Sequence, residues 1–81
     1  MEKLIGTAVR VSSIVPQVYE DITYQIAEQN YMGLYIGRVG RLLSVDLDKD
    51  FPNVLQFDEP IAGRLGVHTQ RFRDIEINVL Y

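Results

Sequence analysis

The sequence predicts a mainly β protein, a small barrel of about five strands with a long excursion after the first strand. Three observations lead to this prediction. Short runs alternate apolar and polar residues, glycines and prolines separate those runs, and 81 residues are enough for one domain only. Closure into a barrel would also remove the exposed strand edges that invite aggregation. We therefore expect residues 1–81 to form a single domain.

Composition narrows the class of protein. Hydrophobic residues make up 47% of the chain and charged residues 23%, which is typical of a folded globular domain. The chain has no cysteine, which excludes disulfides and favours a reducing, cytoplasmic compartment. The opening MEKLIGTAVRV has one lysine and a short apolar run, so we expect neither a signal peptide nor a membrane span. The net charge of −3 argues against general affinity for nucleic acid.

Two predicted strands frame the excursion. In the first, TAVRVSS, Val9 and Val11 share one face. The second lies within LYIGRVGRLLSVDLD and alternates polar residues with three apolar ones, Leu43, Val45 and Leu47. Extending this alternation backwards would turn Arg41 into the core, so we expect a bulge at Gly40 or Gly37 to correct the register.

A short helix or helical turn is predicted inside the excursion, residues 16–33. Apolar residues recur there every four positions, as on one face of a helix: Val18, Ile22 and Ile26. Glu20 and Asp21 come early, where the positive end of a helix dipole favours negative charge. Asn30 and Gly33 lie where such a helix would end.

The remaining strands follow a turn, DKDFPN. In FPNVLQFDEP, bounded by prolines, Leu55 and Phe57 point to one side and form the partner strand of a hairpin. A loop with two glycines leads to the closing segment RFRDIEINVLY, whose alternating apolar residues are Ile75, Ile77 and Val79. Phe72 and Ile75 are three positions apart, which suits a single 3₁₀ turn between two short strands.

Four stretches carry a family resemblance. The opening strand has Gly6, Val9, Arg10 and Val11. The second strand runs from Gly37 to Asp46. The third has Phe51, Pro52, Val54, Phe57 and Asp58, and the closing one has Phe72, Asp74, Ile75 and Ile77. In this order the chain resembles the SH3-like barrels of small photosynthetic accessory subunits, namely photosystem I reaction-centre subunit IV and the variable chain of ferredoxin–thioredoxin reductase. The resemblance implies an SH3-like barrel and an accessory, partner-binding role.

The acidic residues predict neither a metal site nor an active site. Asp46, Asp48 and Asp50 begin like a calcium loop, but Phe51 and Phe57 stand where such a loop needs a glycine and a bidentate glutamate. We interpret them as a solvated acidic turn. The pairs Asp58–Glu59 and Asp74–Glu76 could supply two carboxylates for hydrolysis, but so short a barrel leaves little room for a substrate cleft, and we expect them to face solvent.

His68 is the single histidine and has no cysteine or second histidine to share a metal. We therefore interpret it as a structural residue. Together with the acidic residues, this predicts a protein that is not an enzyme and needs no cofactor or metal.

Arginines and tyrosines are the candidate contact residues. Five arginines lie in three short stretches and could form a strip that binds anions or nucleic acid: Arg38, Arg41, Arg64, Arg71 and Arg73. The favoured alternative is that they pair with nearby acids. Four tyrosines are candidate partner contacts: Tyr19, Tyr24, Tyr31 and Tyr35. The first three lie in or beside the excursion, and their alternative role is a cap on the open end of the barrel. Tyr31 and Tyr35 could also lie beside the arginine strip as stacking surfaces.

Three functions remain open. The preferred one is a non-enzymatic interaction module that binds a protein partner, as an accessory subunit or as a regulator or inhibitor of a larger complex. The second is a barrel that binds nucleic acid through the arginine strip, with salt-dependent affinity. The third is a redox accessory subunit beside an iron–sulfur partner, since this chain has no cysteine to hold a cluster. A small acidic chain of this kind would also suit a phage protein that acts on its host. No membrane or small-molecule substrate is expected.

Overall fold

The computed structural model describes residues 5–80, which form one mainly antiparallel β architecture. Its elements are β1 (Ala8–Val11), α1 (Ile22–Gly33), β2 (Val39–Val45), β3 (Asn53–Phe57), β4 (His68–Phe72), a 3₁₀ turn (Asp74–Glu76) and β5 (Ile77–Val79). The strands pair in the order β4-β3-β2-β1-β5, and every pair is antiparallel. The prediction of a mainly β fold with five strands and a helix-bearing excursion after the first is confirmed.

The core lies on one face of this sheet. The alternation of core-facing and outward-facing residues predicted for β1 and β3 is confirmed. The four residues predicted to share the core face are all fully buried: Val9, Val11, Leu55 and Phe57. Nine apolar side chains form the core: Val9, Val11, Tyr35, Leu42, Leu55, Phe57, Ile61, Phe72 and Ile77. Burial of apolar side chains on this scale is the main stabilising contribution in so small a chain.

The register of β2 differs from the predicted one. Leu42, not Leu43, faces the core, and Leu43 occupies the bulge between Leu42 and Ser44 where β2 pairs with β3. Arg41 is therefore exposed without any bulge at Gly40. Gly40 serves another purpose, since a Cβ atom there would lie 2.8 Å from the Gln56 carbonyl oxygen. Only glycine allows β2 and β3 to approach so closely.

The segment before β5 also differs in part from its prediction. The 3₁₀ turn is confirmed at Asp74–Glu76, next to Phe72. The turn rotates the chain, so that Ile75 is 68% exposed and Glu76 is 2% exposed. The predicted alternation therefore fails at Ile75, and the carboxylate of Glu76 lies inside.

Helix α1 begins and ends where the sequence indicates. The side chain of Asp21 accepts hydrogen bonds from the backbone N–H groups of Thr23 and Tyr24 at 2.9 and 3.2 Å, which caps the helix. The helix ends at Gly33. It buries none of its residues fully, so it rests on the sheet rather than within the core.

Candidate functional site

The long connection between β1 and β2, residues 12–38, is fastened to the sheet at both ends. Near its start, the backbone N–H of Val15 donates to Glu76 Oε2 at 2.8 Å, while Glu76 Oε1 accepts from the N–H of Arg73 at 2.7 Å. At its end, the N–H of Gly37 donates to the Val11 carbonyl at 2.7 Å. Both ends of the connection are therefore attached to the sheet.

Two of the four candidate tyrosines face inward. Tyr31 and Met32 pack against the core from α1, and Tyr35 is fully buried among Phe57, Phe72 and His68. A residue without exposed surface cannot contact a partner on the surface. Tyr35 is thus a core residue, and its assignment as a partner contact is corrected.

The Tyr35 hydroxyl is paired with His68. His68 Nδ1 lies 3.0 Å from the Gly66 carbonyl, which can only accept, so Nδ1 carries the proton. Nε2 is then an acceptor, and the Tyr35 hydroxyl donates to it at 3.1 Å. The ring of His68 also stacks on Phe57, with centroids 5.7 Å apart. His68 therefore satisfies buried polar groups.

Tyr19 and Tyr24 lie on the outer part of the connection. Their rings meet edge to face with centroids 4.9 Å apart, and Tyr24 is 56% exposed. The Tyr19 hydroxyl donates to Gln17 Oε1 at 2.7 Å. The Tyr24 ring is therefore available to a partner, whereas Tyr19 is half-buried.

The connection carries nearly half of the exposed large apolar side chains. Among residues 5–80, thirteen large apolar side chains are exposed, and six of them lie here: Val18, Ile22, Tyr24, Ile26, Leu34 and Ile36. We call these six the exposed apolar set. The four-residue recurrence of Val18, Ile22 and Ile26 predicted the helix, yet these side chains face solvent and not the sheet. Apolar side chains clustered on a surface mark interaction sites more often than isolated ones do.

The connection also holds most of the net charge of the protein. Its charged residues are Glu20, Asp21, Glu28 and, at its last position, Arg38. The rest of the chain has eight acidic and seven basic residues, which nearly balance. A partner that binds the exposed apolar set would therefore meet an acidic border.

A cavity of about 60 Å³ lies between the connection and the sheet. Its wall includes Tyr19, Glu28, Phe51, Glu76 and four glutamine side chains. Glu28 Oε2 is buried. Hydrogen bonding with Glu28, partial burial and the negative charge of Glu28 raise the pKa of Tyr19 to about 12. The hydroxyl lies 2.7 Å from Gln17 Oε1 and also beside the Glu28 carboxylate, so it has two nearby acceptors for its one proton.

The five candidate arginines do not form an unoccupied strip. Arg71 pairs with Asp46 at 2.7 Å and Arg38 with Glu59 at 3.1 Å. Both pairs are exposed, so each contributes little to stability. Arg41 and Arg71 both point outward and flank β3, opposite Gln56 and Val54 respectively.

The other arginines have neutral partners. Arg64 donates to the Thr69 carbonyl at 2.7 Å, Arg41 donates to that of Gly6 at 3.4 Å, and the Arg73 guanidinium lies 4.8 Å from the centroid of the Phe51 ring. Two of the five arginines therefore pair with acidic side chains, and the other three contact carbonyl groups or an aromatic ring.

The candidate acids are separate from one another. Asp58 and Glu59 are exposed after β3, and Asp48 and Asp50 are exposed in the turn before β3. Within residues 5–80, no three His, Asp or Glu side chains converge as a metal would require. No helix in the described part of the chain has the length and apolar character needed to cross a membrane.

Sequence reasoning missed the cavity and the direction in which α1 faces. The cavity is formed by residues far apart in the chain, such as Tyr19 and Glu76, which no local motif connects. The absence of basic residues between Arg10 and Arg38 is visible in the sequence and indicates that this segment differs from the rest.

Comparison of the chain with family models, with curated proteins and with solved structures finds no match in any of the three.

Proposed function

We propose that this chain is a non-enzymatic protein-interaction module with an SH3-like barrel fold, which acts as an accessory subunit or regulator of a larger complex. The connection between β1 and β2 presents the binding surface. The observation that carries the proposal is the exposed apolar set on a connection whose two ends are fastened to the sheet. Strand order β4-β3-β2-β1-β5, with the long connection after β1 and a 3₁₀ turn before β5, supports the fold.

The partner is a protein with an apolar groove bordered by basic residues. Ile22 and Ile26 are one helical turn apart and 62% and 52% exposed, so they can enter a groove together. The acidic residues of the connection match a basic border by charge. Tyr24 adds an aromatic side chain of the type enriched in interfaces.

Two other functions remain predictions: nucleic-acid binding through the arginines and a redox accessory role. No feature of the described structure favours either of them. Each of the five arginines already has a partner within the described chain. Binding of RNA or DNA that weakens with salt would restore the nucleic-acid hypothesis.

Affinity capture with a paired set of variants tests the proposal. The tagged chain is used to capture partners from its source lysate, with nuclease present. The double variant Ile22→Gln/Ile26→Gln removes two exposed apolar side chains and keeps good helix formers. We expect it to lose the stoichiometric partner, since burial of each side chain would stabilise the complex by roughly 1–2 kcal/mol.

Leu47→Gln is the matched control, because Leu47 is 88% exposed in the turn between β2 and β3. It should capture the partner as the parent chain does. Circular dichroism shows whether the double variant keeps its fold. Undiminished capture by a folded double variant would refute the proposed binding surface.

A further inference from the structure

The face of the sheet that points away from the core is basic. Successive residues of a strand point to opposite faces, so Arg10, between the buried Val9 and Val11, points away from the core. Arg41 precedes the buried Leu42 and points the same way. We call the strand residues that point away from the core the outward face. The five strands contain no acidic residue, so none of the outward face is acidic.

Three arginines lie on the outward face, Arg10, Arg41 and Arg71, and only Arg71 takes part in an ion pair within residues 5–80. Arg10 lies opposite Val39 and Arg41 lies opposite Ala8 in the pairing of β1 with β2, so the two arginines are diagonal neighbours. Neighbouring like charges repel each other, and carboxylates of a partner would relieve this repulsion.

A groove of about 350 Å³ also lies on this face. Its wall includes Val39, which is 42% exposed, and Arg41. The acidic residues of the wall, Asp58 and Glu59, come after the end of β3, and Glu59 is paired with Arg38. This volume is at the lower end of the range for ligand pockets, so the groove has room for a few side chains. It combines apolar surface with a cation that has no acidic partner.

The connection of the same chain has the complementary pattern. Ile22 and Ile26 are exposed, and Glu20 and Asp21 directly precede the first of them. The connection packs against the core side of the sheet, through residues such as Tyr31. The connection and the outward face therefore lie on opposite sides of the molecule, and one copy cannot join its own two surfaces.

We propose that the connection of one copy docks on the outward face of a second copy. Ile22 and Ile26 enter the groove, and the acidic residues before them face Arg10 and Arg41. The contact joins two different surfaces, so it repeats from copy to copy and builds an open chain instead of a closed dimer. This inference rests on the proposed role of the connection as a binding surface and names a second copy as a partner.

Sedimentation of the purified, nuclease-treated protein measures the self-association. In dilute salt we expect a dissociation constant of roughly 10–100 μM, since the contact is small. As the protein concentration is raised to about ten times this value, the mean mass should pass that of a dimer, because the contact does not close. Salt at about 0.5 M should weaken the association by screening the charges. A mass that stays at that of the monomer in dilute salt would overturn the proposal.

Two complementary variants identify the surfaces. Ile22→Gln/Ile26→Gln damages the connection and keeps the outward face, and Arg10→Gln/Arg41→Gln does the reverse. Each variant alone should remain monomeric, whereas their equimolar mixture should form a 1:1 dimer, because each supplies the surface that the other lacks. Association of the arginine variant alone, or none in a mixture of two variants shown to be folded by circular dichroism, would overturn the proposal.

Two single variants separate the outward face from a general effect of charge. Arg41→Gln should weaken association about tenfold, because it removes a cation from the contact. Lys49→Gln removes the same charge in the exposed turn before β3 and should leave association unchanged. Equal losses in the two variants would contradict a specific contact.

Nucleic acid is the other ligand that could join two basic faces. Association that is present before nuclease treatment and lost after it would show that nucleic acid joins the copies, and would overturn the proposal. Failure here leaves the capture experiment with Ile22 and Ile26 intact, because that experiment follows a different protein bound from the lysate.

Discussion

Ala62 has a backbone conformation that alanine rarely adopts. Its φ angle is 56°, and that of the following Gly63 is 78°. The two residues form the tip of a tight turn in which Ile61 and Arg64 exchange backbone hydrogen bonds at 3.2 and 3.0 Å. Positive φ at both central positions is the geometry of a type I′ turn, which glycine and asparagine accept without strain.

Ala62→Gly should therefore stabilise the protein by roughly 0.5–1 kcal/mol, the left-handed strain of alanine less the added flexibility of glycine. Urea unfolding measures the difference. Ala27→Gly, at an exposed position within α1, is the control and should destabilise by about 1 kcal/mol. Destabilisation by both substitutions would contradict the assigned strain.

Residue alternation predicts burial only where each strand is regular. Val9, Val11, Leu55 and Phe57 were identified because their strands keep a period of two. Leu42 was not identified, and Leu43 was predicted in its place, because a bulge adds one residue to β2 and leaves no trace in the local sequence.

Glu76 connects three elements, since its side chain and backbone carbonyl bind the start of the connection and its Oε1 binds Arg73. Glu76→Gln keeps the shape but replaces one accepting oxygen by an NH₂ group, which would face a backbone N–H. We expect a loss of about 1–3 kcal/mol in the free energy of unfolding, the cost of a buried donor left unpaired. Urea unfolding measures the loss.

Hydrogen exchange locates the effect. In Glu76→Gln, the amide of Val15 should exchange faster if the connection detaches from the sheet. Glu20→Gln, at an exposed position in the connection, should change stability by less than about 0.5 kcal/mol. An unchanged exchange rate at Val15 would show that Glu76 does not hold the connection.

Helix α1 shows how far a local sequence can predict an element. The N-terminal cap at Asp21 and the end at Gly33 depend on nearby residues, so the local sequence indicated both. The side that α1 turns to the sheet depends on Glu76 and the core, which lie far away in the chain. The recurrence of Ile22 and Ile26 fits a surface bound by a partner as well as it fits a core face.

At the scale of the whole molecule, the core contains an ionisable hydroxyl. Burial raises the pKa of Tyr35 to about 12, with hydrogen bonding and charge from Tyr31 acting in the same direction and Arg64 opposing them. The unfolded value is about 10, so the folded state holds the proton more tightly. Its contribution to stability is complete below about pH 10 and is lost as the pH rises toward about 12.

Urea midpoints measured from about pH 9 to about pH 12 test this expectation. The parent protein should lose stability more steeply over this range than Tyr35→Phe, which has no hydroxyl to titrate. Tyr35→Phe is expected to be less stable at neutral pH, because His68 Nε2 loses its donor. Parallel curves for the two proteins would contradict the assignment.

The separation of charge between the connection and the rest of the molecule has a kinetic consequence. With three acidic residues against one arginine on the connection and a nearly balanced remainder, we expect an electric dipole along the axis from sheet to connection. Such a dipole turns a molecule as it diffuses toward a basic surface, so that more collisions begin with the connection in front. Such steering would raise the rate of association in dilute salt. The rate of dissociation would be set by the apolar contacts.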